Sequence, residues 1–386
     1  MKSVLFLKNI SELDQLESIS QEHEIIISPK GISRLGELSI DESNQALNRC
    51  HELGFKALIE WDILMTENDF QKSRADFSQL HYHLAEAVRV QDIGAYRFLI
   101  GNGGVDIHLI IESGNHNLVA IKKWEELGGA QLKRIVLGLE LPKSILTKYT
   151  QEINVPCELQ VLGKILLFYS PRSLLSRPLS SSGQEKVLQV RASSEETPHK
   201  GFFVLENNHG TYMFLPKDQY LLDSYEDLLE TGIKYIRLDH RFLEGRYSIT
   251  DMATLIEQGN AQLWEEFKNN YTAKFIRGYF SVNKSDAIFP KLKNHRTNKK
   301  TESYIGKVVD VKKEQYLAVN IFKKTSRKLR VGDSIEISSP DGKVKRIEVR
   351  SIKNIALESI SQVSNEQIIL IAHVGGISVK SQVHFL

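Results

Sequence analysis

The sequence predicts an α/β protein, a TIM-like (β/α) barrel followed by a small C-terminal β-barrel domain, and three observations carry that expectation. Short apolar runs alternate with amphipathic helical stretches through residues 1–270, the mark of parallel βα units. Eight such runs can be counted, the number that closes a barrel. After Phe280 this pattern gives way to a basic, weakly periodic stretch and then to short β-like runs joined by turn residues.

The eight candidate strands are Val4–Leu7, Ile25–Ser28, Ala57–Ile59, Ala87–Val90, Ile107–Ile111, Arg134–Leu137, Glu158–Val161 and Tyr235–Leu238. Helices fill the gaps. Ser39 followed three residues later by Glu42 is a capping-box pattern, and the helix it starts puts Ala46, Leu47, Cys50 and Leu53 on one face. Further helices are expected near Asn117–Leu127, Asp218–Glu230 and Ile249–Asn270. Turn-rich stretches at Ser180–Gly183 and Ser193–Pro198 flank a short strand, Lys186–Arg191, so residues of about 177–210 read as an insertion between the seventh and eighth strands. Residues 271–300 read as a basic linker. The remainder, 301–386, carries β-like runs at Ser303–Val311, Tyr316–Phe322, Ser334–Ser338, Val344–Ile352, Gln367–Ile371 and Gln382–Phe385, with Pro340-Asp341-Gly342 as a hairpin turn.

Composition narrows the class. With 386 residues, 41% hydrophobic and 25% charged, the chain has the make-up of a globular protein of two or three domains, not of a disordered one. Its two cysteines, Cys50 and Cys157, lack CxxC spacing and are too few for a disulfide framework or a four-thiolate metal site, which fits a reduced, cytoplasmic interior. The opening MKSVLFLKN has an apolar run too short for a secretory signal, and no stretch approaches the ~18 apolar residues of a membrane span. A soluble, unprocessed protein with no membrane partner is expected.

Net charge is +2 over the whole chain but unevenly spread. From Lys268 to Leu386 there are 23 Lys plus Arg against 10 Asp plus Glu, so the tail is basic and the front acidic. That asymmetry points to a polyanion such as RNA at the C-terminal end. Aromatic residues Tyr271, Phe275, Tyr279, Phe280 and Phe289 are interleaved there with Lys274, Arg277, Lys284, Lys291, Lys293 and Arg296, a mixture suited to stacking on bases while tracking phosphates. The alternative is that the aromatics anchor the linker and the cations form a solvated face.

In a βα barrel, polar residues just beyond the strands are the candidates for chemistry. Glu60, Asp92, Glu112, Glu140 and Asp239 hold such positions. Paired carboxylates can bind a divalent ion or act as acid and base; they can equally cap helices or meet Arg97, Arg134 and Arg241 in ion pairs. The histidines show no metal-ligand spacing, and Walker, GxGxxG, HExxH and GxSxG patterns are absent, so no metal site and no cofactor is assigned.

The segment Leu162–Ser176, LGKILLFYSPRSLLS, resembles the signature of peptidase family U32, usually HGxLCxxYSGRCLLS. Gly163, Tyr169, Ser170, Arg172, Leu174, Leu175 and Ser176 fall on pattern positions, whereas Leu166 and Ser173 stand where the family has cysteines. The likeness extends along the chain. Arg134–Leu141 is similar to RVVLxREL, Gly210-Thr211-Tyr212 and Pro216-Lys217-Asp218 to GTY and SKD, Ile236–Arg241 to KIEGR, and Arg277-Gly278-Tyr279-Phe280 to the RGFF turn. Asp92-Ile93-Gly94 resembles DxGA, while Ile110-Ile111-Glu112 stands where many members have Ser-Thr-Gln. Two further cysteines usual between Ser176 and Gly210 are missing too.

The resemblance implies a (β/α) barrel with a translation-factor-like β-barrel behind it. It also implies Asp239, Arg241, Glu140 and Asp92 as catalytic candidates. Tyr169, Ser170 and Arg172 form a group able to orient a carboxylate or phosphate, or else to pack beneath the loop. The family includes peptidases and proteins for hydroxylating tRNA, ribosomal RNA and ubiquinone, the latter groups carrying an iron–sulfur cluster that needs four thiolates. The expectation is therefore a cluster-less member with an accessory or RNA-binding role in RNA modification. A peptidase using carboxylates or a metal at the barrel mouth and a non-catalytic scaffold remain alternatives, and a partner protein or a homo-oligomer stays open beside RNA.

Overall fold

In each short parallel strand, alternate side chains point to opposite faces, and in this chain the two faces have opposite chemistry. The computed structural model describes residues 1–102, 104–112, 117–175, 187–193, 200–281, 303–322, 328–339, 343–363 and 366–386. The chain divides into two compact units, 1–286 and 287–386.

The first unit is built on strands β1 (Lys2–Phe6), β2 (Glu24–Ile27), β3 (Lys56–Trp61), β4 (Ala87–Val90), β5 (Asp106–Ile110), β6 (Leu132–Val136) and β7 (Cys157–Gly163). After β7 the chain makes β8 (Leu166–Ser170), β9 (Leu188–Ser193), β10 (Lys200–Asn207), β11 (Gly210–Phe214) and β12 (Lys217–Tyr220) before β13 (Tyr235–Leu238) returns to the barrel. Neighbouring strands from β1 to β7 pair in parallel, and β13 pairs in parallel with both β1 and β7. The barrel is closed by eight strands, each overlapping a run expected from the sequence.

Outward-facing residues such as Leu5, Ile25, Ile59, Val88, Leu109 and Ile135 pack in one large apolar core against the surrounding helices. Those helices are α1 (Ile40–Glu52), α2 (Glu67–Ser78), α3 (Ile93–Asn102), α4 (Leu118–Gly128), α5 (Lys143–Glu152), α6 (Tyr225–Glu230), α7 (Ile249–Glu257) and α8 (Ala261–Asn270). α1 begins at the expected capping box, with Ser39 and Glu42 reciprocally bonded, and buries Ala46, Leu47 and Cys50. The inner face holds a small apolar group, Val4, Phe6, Ile26, Leu58 and Ala87, together with charged side chains.

Two helical expectations are corrected. Asp218 starts no helix: Lys217–Tyr220 is strand β12, paired antiparallel with the end of β7, and only Tyr225–Glu230 is α-helical. The long helix expected over Ile249–Asn270 is two, α7 and α8, separated by Gln258–Asn260; the Asn260 side chain accepts from the Leu263 amide and starts the second.

Strands β8, β11, β10 and β9 form an antiparallel sheet in that order, hung between the seventh and eighth barrel strands. Its inner side packs Leu205, Tyr212 and Phe214 against Leu35, Leu166, Tyr169, Phe203 and Phe242. Gly210 makes the close approach of β11 to β8: its φ is +122°, and a Cβ there would lie 2.2 Å from the Ser170 carbonyl oxygen. Beyond β12, the short β14 (Lys274–Ile276) extends the barrel sheet by pairing in parallel with β12.

In the second unit a curled, seven-stranded antiparallel sheet surrounds one apolar core that includes Ile305, Val308, Leu317, Ile335, Ile369 and Val383. Its strands are β15 (Tyr304–Lys312), β16 (Tyr316–Ile321), β17 (Ser334–Ser338), β18 (Val344–Glu348), β19 (Ile352–Lys353), β20 (Ile368–Ala372) and β21 (Gln382–Phe385), with β18 and β19 at the two edges. The expected turn at Pro340–Gly342 and most of the expected linker lie outside the described residues, as does much of the expected insertion.

Candidate active site at the barrel mouth

A charge buried inside a barrel must be matched by an opposite charge and by hydrogen bonds, or it is ejected. The floor of this barrel meets that demand with arginines. Arg89 donates to both carboxylate oxygens of Glu158 at 2.8 and 2.7 Å, and neither side chain is exposed. Arg134 bridges Glu158 at 3.1 Å and Glu24 at 2.7 Å, with its guanidinium 3.3 Å from the Tyr235 ring centre. Arg237 approaches Glu158 at 3.5 Å and donates to Gln160 at 3.1 Å and to Glu112. Burial alone would raise the Glu158 carboxyl; the charges of Arg89, Arg134 and Arg237 outweigh it and hold the group well below the usual carboxylate range. Burial, aided by Arg134 and Arg89, pushes the His108 imidazole well below its ordinary value and keeps it neutral.

Above this floor, at the C-terminal ends of the strands, lies a cavity of about 400 Å³. Its lower wall is polar and comes from strand ends: Glu60 and Asp62 after β3, Gln91, Glu112, Gln160, and Arg237, Asp239 and Arg241 of β13 and the turn after it. The small antiparallel sheet forms the upper wall with Leu166, Leu167, Phe168, Tyr169, Tyr212 and Phe214. A ligand here would meet charge on one side and apolar or aromatic surface on the other, the usual make-up of a small-molecule site.

The charges at the mouth are paired. Arg241 grips Asp239 at 2.8 and 2.9 Å, reaches Glu60 at 3.4 Å and stacks 3.6 Å from the Phe6 ring centre. Burial would raise the Asp239 carboxyl, but Arg241 and then Arg237 hold it below the ordinary range. Glu60 goes the other way. Burial, reinforced by the neighbouring Asp62, raises its carboxyl despite Arg241, Arg89 and the 2.8 Å hydrogen bond from Ser28. Arg34 bonds Asp62 at 2.5 Å and lies 3.9 Å from Glu112. A raised carboxyl beside a depressed one is the arrangement that lets one group act as an acid while the other stays ionised.

Of the residues singled out from the sequence, Glu60, Glu112, Glu140, Asp239, Arg241 and Tyr169 line this cavity. Asp92 does not. Its Oδ1 accepts from the Gly94 and Ala95 amides at 2.7 and 3.2 Å at the start of α3. Tyr169 stacks on Tyr212 with ring centres 4.9 Å apart and donates to the His209 carbonyl at 3.0 Å. Ser170 and Arg172 lie outside the cavity lining: the Ser170 hydroxyl accepts from the Arg172 amide, and the Arg172 side chain is exposed. Lys274 is exposed on β14, and Arg277 sits 3.3 Å from Asp223. Lys284, Lys291, Lys293 and Arg296 lie outside the described residues. Sequence reasoning missed Arg34, Asp62, Gln160, Lys164 and Arg237. The available signal was alternation: Leu58, Glu60 and Asp62, or Glu158 and Gln160, continue the inward face of a strand.

The iron–sulfur cluster of cysteine-bearing family members can be tested against the donors present. Leu166 occupies the cavity wall and Ser173 an exposed turn, where the motif has cysteines. Cys50 and Cys157 are buried in α1 and at the start of β7, and burial pushes both thiols up to about 12. A four-thiolate cluster does not fit the donor set of this chain. Among the described residues no group of three or more His, Cys, Asp or Glu side chains is arranged to hold a metal ion. A hydrogen-bonded Ser3, His23 and Glu257 occurs at the opposite end of the barrel, where the Ser3 and His23 side chains are buried away from solvent.

Fold and mouth together define an eight-stranded α/β barrel whose mouth cavity is roofed by an inserted sheet. Residues 33–288 match the model of peptidase family U32, and the chain belongs to that family. It is 22% identical over 276 residues to the tRNA hydroxylation protein P2 of Bacillus subtilis (strain 168), covering 63% of this chain and 80% of that protein. To the tRNA hydroxylation protein P of Escherichia coli (strain K12) it is 20% identical over 372 residues, 81% of this chain and 80% of the relative. The solved structure of a U32 peptidase is 11% identical, over 42% of this chain and 70% of that one, with a TM-score of 0.36. Among the described residues no helix is long and apolar enough to cross a membrane.

Proposed function

We propose that this protein serves RNA modification of the hydroxylation type as a member without its own iron–sulfur cluster, binding RNA through its basic C-terminal part and a small ligand at the barrel mouth. The observation that carries the reading is the similarity to two tRNA hydroxylation proteins over 80% of their lengths, in a chain that has only two cysteines, both buried. Exposed cations on the second unit support it. The edge strand β18 and its flanks present Lys343, Lys345, Arg346 and Arg350, and Lys353 is exposed on the other edge strand, β19.

In this reading residues 1–270 with the insertion hold the ligand, and residues 271–300 and 301–386 supply RNA contacts. Lys274, Arg277, Lys284, Lys291, Lys293 and Arg296 meet phosphates. Asp239, Arg241 and Glu140 act on the ligand, Asp92 fixes the start of α3, and Tyr169, Ser170 and Arg172 hold the upper wall. The protein works with RNA and with a second protein or copy that supplies what this chain lacks.

The test is binding of a tRNA mixture by the full chain across a salt series. Phosphate contacts release counterions, so six contacts imply an affinity loss of about 10³-fold between 50 and 200 mM salt. Replacing Lys291, Lys293 and Arg296 together by Ala flattens that slope. Absence of binding at the lowest salt would sink the proposal. Proteolysis, which the family name raises, is the alternative, with carboxylates of the barrel mouth such as Asp239 and Glu140 as acid and base. Hydrolysis of a denatured protein that is equal in the chain and in an Asp239→Asn, Glu140→Gln variant removes that reading for those two residues.

A further inference from the structure

Lys164 follows β7 and lines the barrel-mouth cavity, yet its side chain is only 9% exposed. Behind it, away from the cavity, lies Asp218 of β12, which is fully buried. The Lys164 Nζ is 2.8 Å from Asp218 Oδ1 and 3.1 Å from Oδ2. On the far side the Tyr271 hydroxyl donates to Asp218 Oδ2 and itself accepts from the Glu244 amide at 2.9 Å. An amine facing a cavity, a carboxylate touching it from behind and a third group orienting the carboxylate reproduce the order nucleophile, base, orienter.

The other cavity cations are engaged differently. Arg34, Arg237 and Arg241 are guanidiniums that stay protonated and serve as fixed charges. Among the described residues Lys164 is the one lysine in the cavity wall, and an ammonium can give up its proton and become a nucleophile. Burial raises the Asp218 carboxyl above its ordinary value even with Lys164 beside it, and both of its oxygens lie within 3.1 Å of the Nζ. The Phe203 ring centre lies 5.8 Å from the Nζ and closes the other side of the amine.

We propose that Lys164 is a nucleophilic lysine that captures a small carbonyl compound, an aldehyde or ketone, as an imine at the barrel mouth. Asp218 takes one proton from the ammonium. The free amine nitrogen then bonds to the carbonyl carbon, and the carbonyl oxygen receives that proton to give a carbinolamine. Loss of the oxygen as water, with a second proton drawn from the nitrogen through Asp218, leaves the carbon–nitrogen double bond. Nothing is oxidised or reduced, and hydrolysis reverses every step. The inference is independent of RNA binding and stands or falls without it.

The experiment incubates the full chain with pyruvate, or separately with glycolaldehyde, in the presence of sodium cyanoborohydride, followed by intact mass measurement and peptide mapping. The expected result with at least one probe is a single adduct per chain on Lys164. It is lost in Lys164→Arg, which keeps the ion pair to Asp218 and so the fold, and slowed at least tenfold in Asp218→Asn. Tyr271→Phe slows it less, and unchanged thermal unfolding of the Lys164→Arg variant shows that the loss is chemical. No adduct with either probe, an adduct that persists in Lys164→Arg, or labelling no faster than that of exposed lysines such as Lys123 overturns the proposal.

Discussion

At the scale of single residues, Glu158 governs the barrel interior. Three guanidiniums converge on it, and removing a partner from a buried ion cluster leaves uncompensated charge at a cost of about 3–5 kcal/mol. Glu158→Gln is expected to lower the urea midpoint by that much stability, whereas loss of the exposed Lys123–Glu126 pair is expected to change it by less than about 1 kcal/mol. The pH dependence follows from signs. The folded value of Glu158 lies below its unfolded value, near 4.3, so its stabilisation is present above about pH 4.3 and is lost as pH falls toward the folded value. Glu60 is raised, so what it contributes is full below its unfolded value and is lost as pH rises through its folded one. Unfolding measured from pH 3 to pH 8 should show a shallower acid limb in Glu158→Gln, and Glu60→Gln should gain on the wild type as pH rises. Equal curves would contradict both assignments. Residues of this kind were only partly legible in the sequence. Asp239, Arg241 and Glu140 follow apolar runs and were visible, but Arg34 comes from a loop seven residues beyond β2, and no local pattern marks it.

At the scale of elements, the inserted sheet depends on one close approach. Two motif pieces that look separate in the chain, Tyr169-Ser170 and Gly210-Thr211-Tyr212, are neighbouring strands, and Gly210 is where their backbones nearly touch. Gly210→Ala puts a side chain against backbone that cannot move away and strains a positive φ. The expected outcome is loss of the Tyr169–Tyr212 stack, read as a change in near-ultraviolet circular dichroism, with far-ultraviolet signal from the barrel retained. The barrel strands were legible because apolar runs bounded by polar residues have few other uses in an alternating chain. β12 was not: Asp218, Gln219 and Tyr220 look polar and become buried only because Lys164 and the β7 carbonyls receive them. The break between α7 and α8 did have a signal, Gly259-Asn260, which the strong flanking periodicity masked.

At the scale of the whole molecule, each unit carries its own apolar core. Two cores predict that calorimetric unfolding departs from a single two-state transition, and that Ile335→Ala, which costs about 2–5 kcal/mol in a core of this kind, lowers one transition and leaves the other. A single transition shifted as a whole would show the units to be energetically fused. The fold class was legible from this scale of pattern alone, whereas the cavity was not, because its two walls come from strands far apart in sequence.

The pairing of Lys2 with Tyr235 and of Leu5 with Leu238 sets a timetable for synthesis. The opening strand leaves the ribosome with its inner neighbour more than two hundred residues away, and its Val4, Leu5 and Phe6 must wait for it. Contacts of such long separation form slowly, and a chain emerging at about 5–20 residues per second spends some ten seconds or more as an open sheet with two bare edges. The last barrel strand is thus the step at which a nascent molecule becomes safe from aggregation, and a stall before residue 235 would strand it on the wrong side of that step.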